Sequence, residues 1–175
     1  MQKERKKFIK WNTAYVILFV ILLAVDQITK ILAFHYNWQD IVIIPGVFEL
    51  QTTTLNTGSA WSFLKGWKYS NLFLTISTSV LMLGLFIAIY FLPKQKKLLK
   101  YGLVCILSGG VGNLIDRIFI KGVRDFIGVP IGGFICNIAD IAVTVGAILF
   151  ILALLFFDND ALFQFNKKKK EKKNE

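Results

Sequence analysis

Apolar residues in this chain gather into long runs, and most polar residues fall in the gaps between them. A helix needs about 20 mostly apolar residues to cross bilayer hydrocarbon. Four segments reach that length, roughly Thr13 to Phe34, Asn71 to Leu92, Tyr101 to Ile120 and Ile138 to Phe157. The longest gap holds two further patterns. DIVIIPGVFELQTTTL, Asp40 to Leu55, sets β-branched and aromatic residues around a Pro-Gly turn, which predicts a short hairpin or small sheet. SAWSFLKGWKYS, Ser59 to Ser70, mixes Trp61, Phe63, Trp67 and Tyr69 with two lysines, the composition of a segment half-embedded at headgroup level. The expected fold class is an all-α membrane protein: a four-transmembrane-helix bundle with a small extracytoplasmic β-hairpin or sheet and an interfacial amphipathic segment. One membrane domain is expected over residues 1–157, with a basic cytoplasmic tail at 158–175.

Composition agrees with this pattern. At 175 residues, 55% hydrophobic and 18% charged, the chain is too apolar for a soluble domain and too short for several domains. Its net charge of +10 comes from basic clusters separated by apolar runs, so a membrane surface is the expected partner and nucleic acid is not. Cys105 and Cys136 lie in apolar segments without metal-ligand spacing, so neither a metal, a cofactor nor a disulfide is called for. The basic start followed by an apolar run has the order of a signal peptide. No small-residue cleavage site follows, however, and DQITK continues the helix, so the first span is read as uncleaved.

The basic residues also orient the spans. Five precede Thr13, four lie in PKQKKLLK and six follow Phe157, against two between Leu32 and Asn71 and three from Arg117 to Arg124. By the positive-inside rule both termini are cytoplasmic, and segments 35–70 and 121–137 lie outside.

An ionisable residue within a span costs about 2.5–3.5 kcal/mol on insertion scales, so each needs a partner or a task. Asp26 and Lys30 stand one helical turn apart in the outer half of the first span. Asn113, Asp116 and Arg117 end the third span, Asp140 begins the fourth, and Asp125 falls in what reads as a loop between them. All therefore sit at a similar, outer depth. The second span carries no charge and reads as a packing helix, and Gly109, Gly110 and Gly112 read as close-approach positions.

Asp26 with Lys30, and Asp116 with Arg117 or Arg124, account for themselves as structural ion pairs. Asp125 and Asp140 have too few bases left to neutralise them. If they meet across a water, they cannot both ionise easily, which yields one acid and one base at neutral pH. Asp140, near a helix N-terminus, is the expected anion, and Asp125 the proton holder. Such a pair suits general acid-base hydrolysis of a peptide and equally suits proton or ion relay in a small transporter. Gly128, Gly132 and Gly133 read either as hinges for a gate or as a tight turn.

DQITK at 26–30, NTGSAW at 56–61, GGVGNLIDR at 109–117, VRDFI at 123–127 and NIAD at 137–140 resemble, in order and placement, the motifs of the bacterial lipoprotein signal peptidases (signal peptidase II). The resemblance covers about residues 24–142. It implies a multi-pass protein of the bacterial plasma membrane, with a two-aspartate protease site near the outer leaflet. Its substrates would be diacylglyceryl-modified prolipoproteins, cut before the lipidated cysteine, and its other partners membrane lipids. Asp125 and Asp140 would be catalytic. Asn56, Gly58, Asn113, Arg117 and Asn137 would position substrate, and Asp26, Lys30 and Asp116 would support the scaffold. A monomer without cofactor is expected. Cys136 stands where the family usually has Phe, and Ser59 with Trp61 departs from its small-then-Phe pattern.

Two other readings compete. A serine protease would draw on Ser59 and His35, but the sole histidine ends the first span in an aromatic setting that suits an interfacial residue. A proton-coupled transporter or lipid-binding protein would use Asp26 and Asp140 as a relay. Acids gathered at one depth and the lack of an inverted repeat count against it.

Overall fold

The computed structural model describes residues 2–36, 41–58, 67–92 and 96–157. In chain order the elements are α1 (Gln2–Tyr36), β1 (Ile41–Ile44), β2 (Phe48–Asn56), α2 (Ser70–Phe91), α3 (Lys97–Phe119), β3 (Val123–Val129), β4 (Phe134–Cys136) and α4 (Ile138–Leu152). The chain then continues from Ala153 to Phe157 as a π-helical turn. Four stretches are long and apolar enough to span a membrane: Thr13–Tyr36, Ser70–Phe91, Lys97–Phe119 and Ile138–Phe156. Their limits agree with those expected from the apolar runs, except that α3 starts four residues earlier, at Lys97.

α3 is the central helix and packs against the other three. Its buried face includes Leu103, Val104, Leu107, Ser108 and three glycines between Gly109 and Gly112. The outer faces of the other helices are apolar and exposed, as at Ile17 and Val20 on α1, Leu72, Ile76 and Val80 on α2, and Ile148 on α4. Acyl chains are as apolar as these side chains, so burial alone gives the helices no reason to associate; close packing and polar contacts do that work. The closest approach is between α3 and α4. A Cβ on Gly102 would lie 2.8 Å from both Gly146 O and Phe150 N, and one on Gly146 would lie 2.6 Å from Gly102 O. Glycine on both sides thus lets two backbones touch.

The hairpin expected around Pro45-Gly46 is present as β1 and β2, paired antiparallel with Ile41 opposite Leu50. Gly46 has a φ of +73°, a conformation that glycine adopts without strain. The sheet is larger than the apolar patterning indicated. The segment read as a loop at 121–137 forms β3 and β4, completing an antiparallel sheet in the order β1-β2-β3-β4. β3 is buried from Val123 to Gly128, so it shows no alternation of apolar and polar residues, and its two charged residues gave it the look of a loop.

A small apolar core of Ala33, Phe126 and Ile127, packed on Leu50, Cys136 and Ile138, ties the sheet to α1 and α4. The glycines of the β3–β4 region meet local needs. Gly133, at φ +63°, follows the 3-10 turn Pro130–Gly132. A Cβ on Gly128 would lie 2.8 Å from Gln51 Nε2 and Glu49 Cγ of β2. Most of the half-embedded segment expected at 59–70, including Ser59, lies outside the described residues, as does the tail at 158–175. Trp67, at its end, packs on Phe73 of α2 with ring centroids 5.6 Å apart.

The α3–α4 contact is open to test. Gly102→Ala puts a methyl group against two backbone atoms that cannot rotate away, and should cost about 1–3 kcal/mol, in the range of overpacked interiors. Gly84→Ala enters open space, and should stabilise α2 slightly through helix propensity. Thermal unfolding in detergent should place the first variant below the unmodified protein and the second at or above it.

Candidate active site

The polar residues of the spans converge at the end of the bundle that carries the sheet. Asp26 and Lys30 lie four residues apart on α1, so they share a face; their Oδ2 and Nζ are 2.9 Å apart, and both side chains are at most 1% exposed. Lys30 Nζ also donates to Asn113 Oδ1 at 2.8 Å and lies 3.5 Å from Asp116 Oδ2. An ammonium has three N–H donors, and here three acceptors face it. The remaining oxygen of Asp26 accepts the backbone N–H of Ala139 at 2.8 Å, so α1 holds the first turn of α4, where backbone donors lack helical partners.

Asp116 resolves the ambiguity in its pairing. It takes Arg124, with Nη2 2.6 Å from Oδ1 and Nε 3.2 Å from Oδ2, and it also accepts the Arg124 backbone N–H at 3.0 Å. Arg117 points elsewhere and donates to Gly58 O at 3.2 Å. Successive residues on a helix do not face one another, whereas the start of β3 comes back over the end of α3. Gln27, which the sequence reading passed over, completes this cluster. Its amide donates to Asp26 Oδ2 at 2.9 Å and to Gly112 O at 3.1 Å, and its carbonyl accepts from Arg124 Nη2 at 3.2 Å. Its signal was an amide beside an acid within an apolar span.

Anchoring Arg124 sets the direction of the next residue, because neighbouring side chains on a strand point to opposite faces. Asp125 is buried, and it accepts from Asn56 Nδ2 at 3.0 Å and from Asn137 Nδ2 at 2.7 Å. Asn56 ends β2, and its own carbonyl accepts the N–H of Gly58 at 3.0 Å. Asn137 is the N-cap of α4. Its carbonyl accepts Asp140 N at 3.0 Å while Asp140 Oδ2 accepts Asn137 N at 3.2 Å, a reciprocal capping box. Asp140 Oδ1 accepts from Asn113 Nδ2 at 2.8 Å, and Asn113 Oδ1 accepts from Asn137 Nδ2 at 3.2 Å.

The structure therefore gathers Asp125, Asp140, Asn56, Asn113 and Asn137 into one network. Lys30, Asp26 and Asp116 stand behind it, and Arg117 and Gly58 at its side. Asn137 links the two acids directly, with its amide nitrogen on Asp125 and its carbonyl on the Asp140 N–H.

Burial raises the Asp125 carboxyl from 3.8 to about 6, and the charge of Asp140 adds to the rise, while the bonds from Asn56 and Asn137 and the Lys30 charge oppose it. Burial also pushes the Cys136 thiol up to about 11, helped by the charges of Asp140 and Asp125. Cys136 thus stands in the field of both acids. Among the described residues, no group of three or more His, Cys, Asp and Glu side chains is arranged as metal ligands would be.

The sign of the Asp125 shift makes a prediction. Its folded value lies above its ordinary one, so its contribution to stability is full below pH 3.8 and is lost as the pH rises through about 6. Asp125→Asn should remove that part of the pH dependence. Asn56→Ala, which deletes a donor to the carboxylate, should move the Asp125 midpoint above about 6, as read by infrared titration of the protonated carboxyl band. A midpoint unchanged in Asn56→Ala would contradict the assignment.

Comparison with known proteins agrees with this arrangement. Residues 18–156 match the family model described as signal peptidase (SPase) II. A lipoprotein signal peptidase of Geobacillus thermodenitrificans is 37% identical over 150 residues, covering 82% of this chain and 90% of that protein. One from Listeria monocytogenes is 35% identical over 153 residues, covering 83% and 94%. Two solved structures of bacterial membrane enzymes superpose with TM-scores of 0.69 and 0.67 at 31% and 30% identity. They cover 85% and 83% of this chain and 91% and 94% of their own. The chain belongs to the signal peptidase II family, the membrane-embedded lipoprotein signal peptidases.

Proposed function

We propose that this protein is an aspartyl endopeptidase that removes the signal peptide of diacylglyceryl-modified prolipoproteins by cutting before the lipidated cysteine, with Asp125 and Asp140 as its catalytic pair. One observation carries the reading. A single asparagine, Asn137, donates to both carboxyl groups, from its side-chain amide to Asp125 and from its backbone N–H to Asp140, and burial together with the charge of Asp140 lifts Asp125 to about 6, so that near neutrality the pair can hold one proton between them.

In this reading Asp140 is the base. It lies in the first turn of α4, where the positive end of the helix dipole favours negative charge, and it accepts N–H bonds on both oxygens. Asp140 takes a proton from a water as the water oxygen attacks the peptide carbonyl carbon, and protonated Asp125 gives its proton to the developing oxyanion; Asp140 then passes its proton to the leaving nitrogen as the C–N bond breaks, and Asp125 takes one back from the gem-diol. No covalent acyl-enzyme forms. Asn56, Asn113 and Asn137 fix the carboxyl groups, while Arg117 and the Gly58 backbone border the place of the substrate.

The basic clusters support a topology with both termini in the cytoplasm, in which the sheet and the acids lie at the outer leaflet. That depth suits a substrate whose acyl chains lie in the bilayer beside its scissile bond. Entry is lateral, from lipid.

Purified protein given a diacylglyceryl-modified precursor and its unlipidated twin should cleave only the first. Asp125→Asn and Asp140→Asn should each lower turnover by at least about two orders of magnitude, as loss of general acid-base catalysis does. Folding is checked by thermal melting. An Asp140→Asn enzyme with near-normal turnover would refute the mechanism.

A further inference from the structure

α2 carries no charge and reads as a packing helix, yet its first turn holds a polar side chain that packing does not explain. Asn71 Nδ2 donates to the backbone carbonyl of Arg117 at 3.2 Å, which joins α2 to the last turn of α3. This bond fixes the amide's orientation, because a carbonyl can only accept. Asn71 Oδ1 therefore points away from it. That oxygen is buried and, among the described residues, has no hydrogen-bond partner. One other side-chain atom is in the same position, Arg117 Nη1. The two orphans belong to residues bonded to each other, and they are opposite in kind, one acceptor and one donor.

A buried polar atom without a partner costs about 1–3 kcal/mol, and native structures keep such atoms where something else uses them. Arg117 points toward the site: its Nη2 reaches Gly58 O, and its charge interacts with Asp125 and Asp140. An orphaned acceptor and an orphaned donor on two residues bonded to each other match in kind the N–H and C=O of a peptide backbone.

We propose that Asn71 is a further substrate-positioning residue, and that its Oδ1 together with Arg117 Nη1 takes a backbone N–H and a backbone C=O of the substrate flanking the scissile bond. The proposal rests on the proteolytic reading above. It adds the second helix to a site otherwise built from α1, β2, α3, β3 and α4. The helix contributes position rather than chemistry, so Asn71 should act on KM and leave kcat largely alone.

The test measures cleavage of the lipidated precursor by Asn71→Ala and Asn71→Leu. Leucine has nearly the shape of asparagine without its polar atoms, so it keeps the test valid if the alanine cavity unsettles α2. Both should raise KM by about three- to tenfold, the worth of one net hydrogen bond, with kcat within about twofold, while thermal melting falls only by the share that the lost bond to the Arg117 carbonyl contributes.

A second measurement separates binding from scaffolding. Each backbone N–H flanking the cut is replaced in turn by an ester oxygen. One ester position should weaken the unmodified enzyme by a similar factor and cost the Asn71 variants nothing further. An unaltered KM in both variants, or equal losses at every ester position in variant and unmodified enzyme, would overturn this inference while leaving the aspartyl mechanism intact. Failure of the unmodified enzyme to cut the lipidated precursor would overturn both.

Discussion

The structure depends on satisfying one buried ammonium. Lys30 is fully enclosed at the sheet-bearing end of the bundle, where an unpaired charge would cost several kcal/mol. Each of its three acceptors ties in another part of the fold. Asp26 reaches the backbone at the start of α4, Asp116 clamps Arg124 at the start of β3, and Asn113 bonds Asp140 and Asn137. Lys30 and Arg124 balance Asp26 and Asp116, so this inner cluster is neutral as a set. Asp125 and Asp140 are left outside that balance, and burial, more than any neighbouring charge, governs the proton on Asp125.

Much of the bundle was legible in the chain because the bilayer imposes a simple rule on it. A run of about 20 apolar residues has few alternatives to a spanning helix, and Thr13–Tyr36, Ser70–Phe91 and Ile138–Phe156 lie within two residues of the limits read from hydropathy. α3 starts earlier than its apolar run because Lys97 and Lys100 are helical at its basic end, and hydropathy scores lysine as outside. Asp26 with Lys30 was legible from the periodicity of the helix alone.

What escaped the sequence were long-range pairings and buried strands. VRDFIGV holds an arginine and an aspartate side by side and reads as loop. It becomes a strand because Asp116 takes one charge, an asparagine pair takes the other, and β2 supplies the ladder. Spacing left Arg117 and Arg124 as rival partners for Asp116, although helix geometry already disfavoured the adjacent residue. Asn71 escaped because the second span carries no charge to draw attention to it, and its interest lies in an amide. Of the residues singled out from the motifs, Asn113, Asp125 and Asp140 meet at Asn137. The motif order named them, and the hydrogen bonds supply the reason that they meet.

The reciprocal cap at Asn137 and Asp140 has one more consequence. Helix termini are the first parts of a helix to fray, and this terminus is held by the same amide that grips Asp125. Unwinding half a turn of α4 would pull the two carboxyl groups out of register while the rest of the bundle stayed folded. Under the proposed mechanism, competence of the centre and closure of that turn are therefore one cooperative event, and gentle denaturation should silence the protein well before its helices separate.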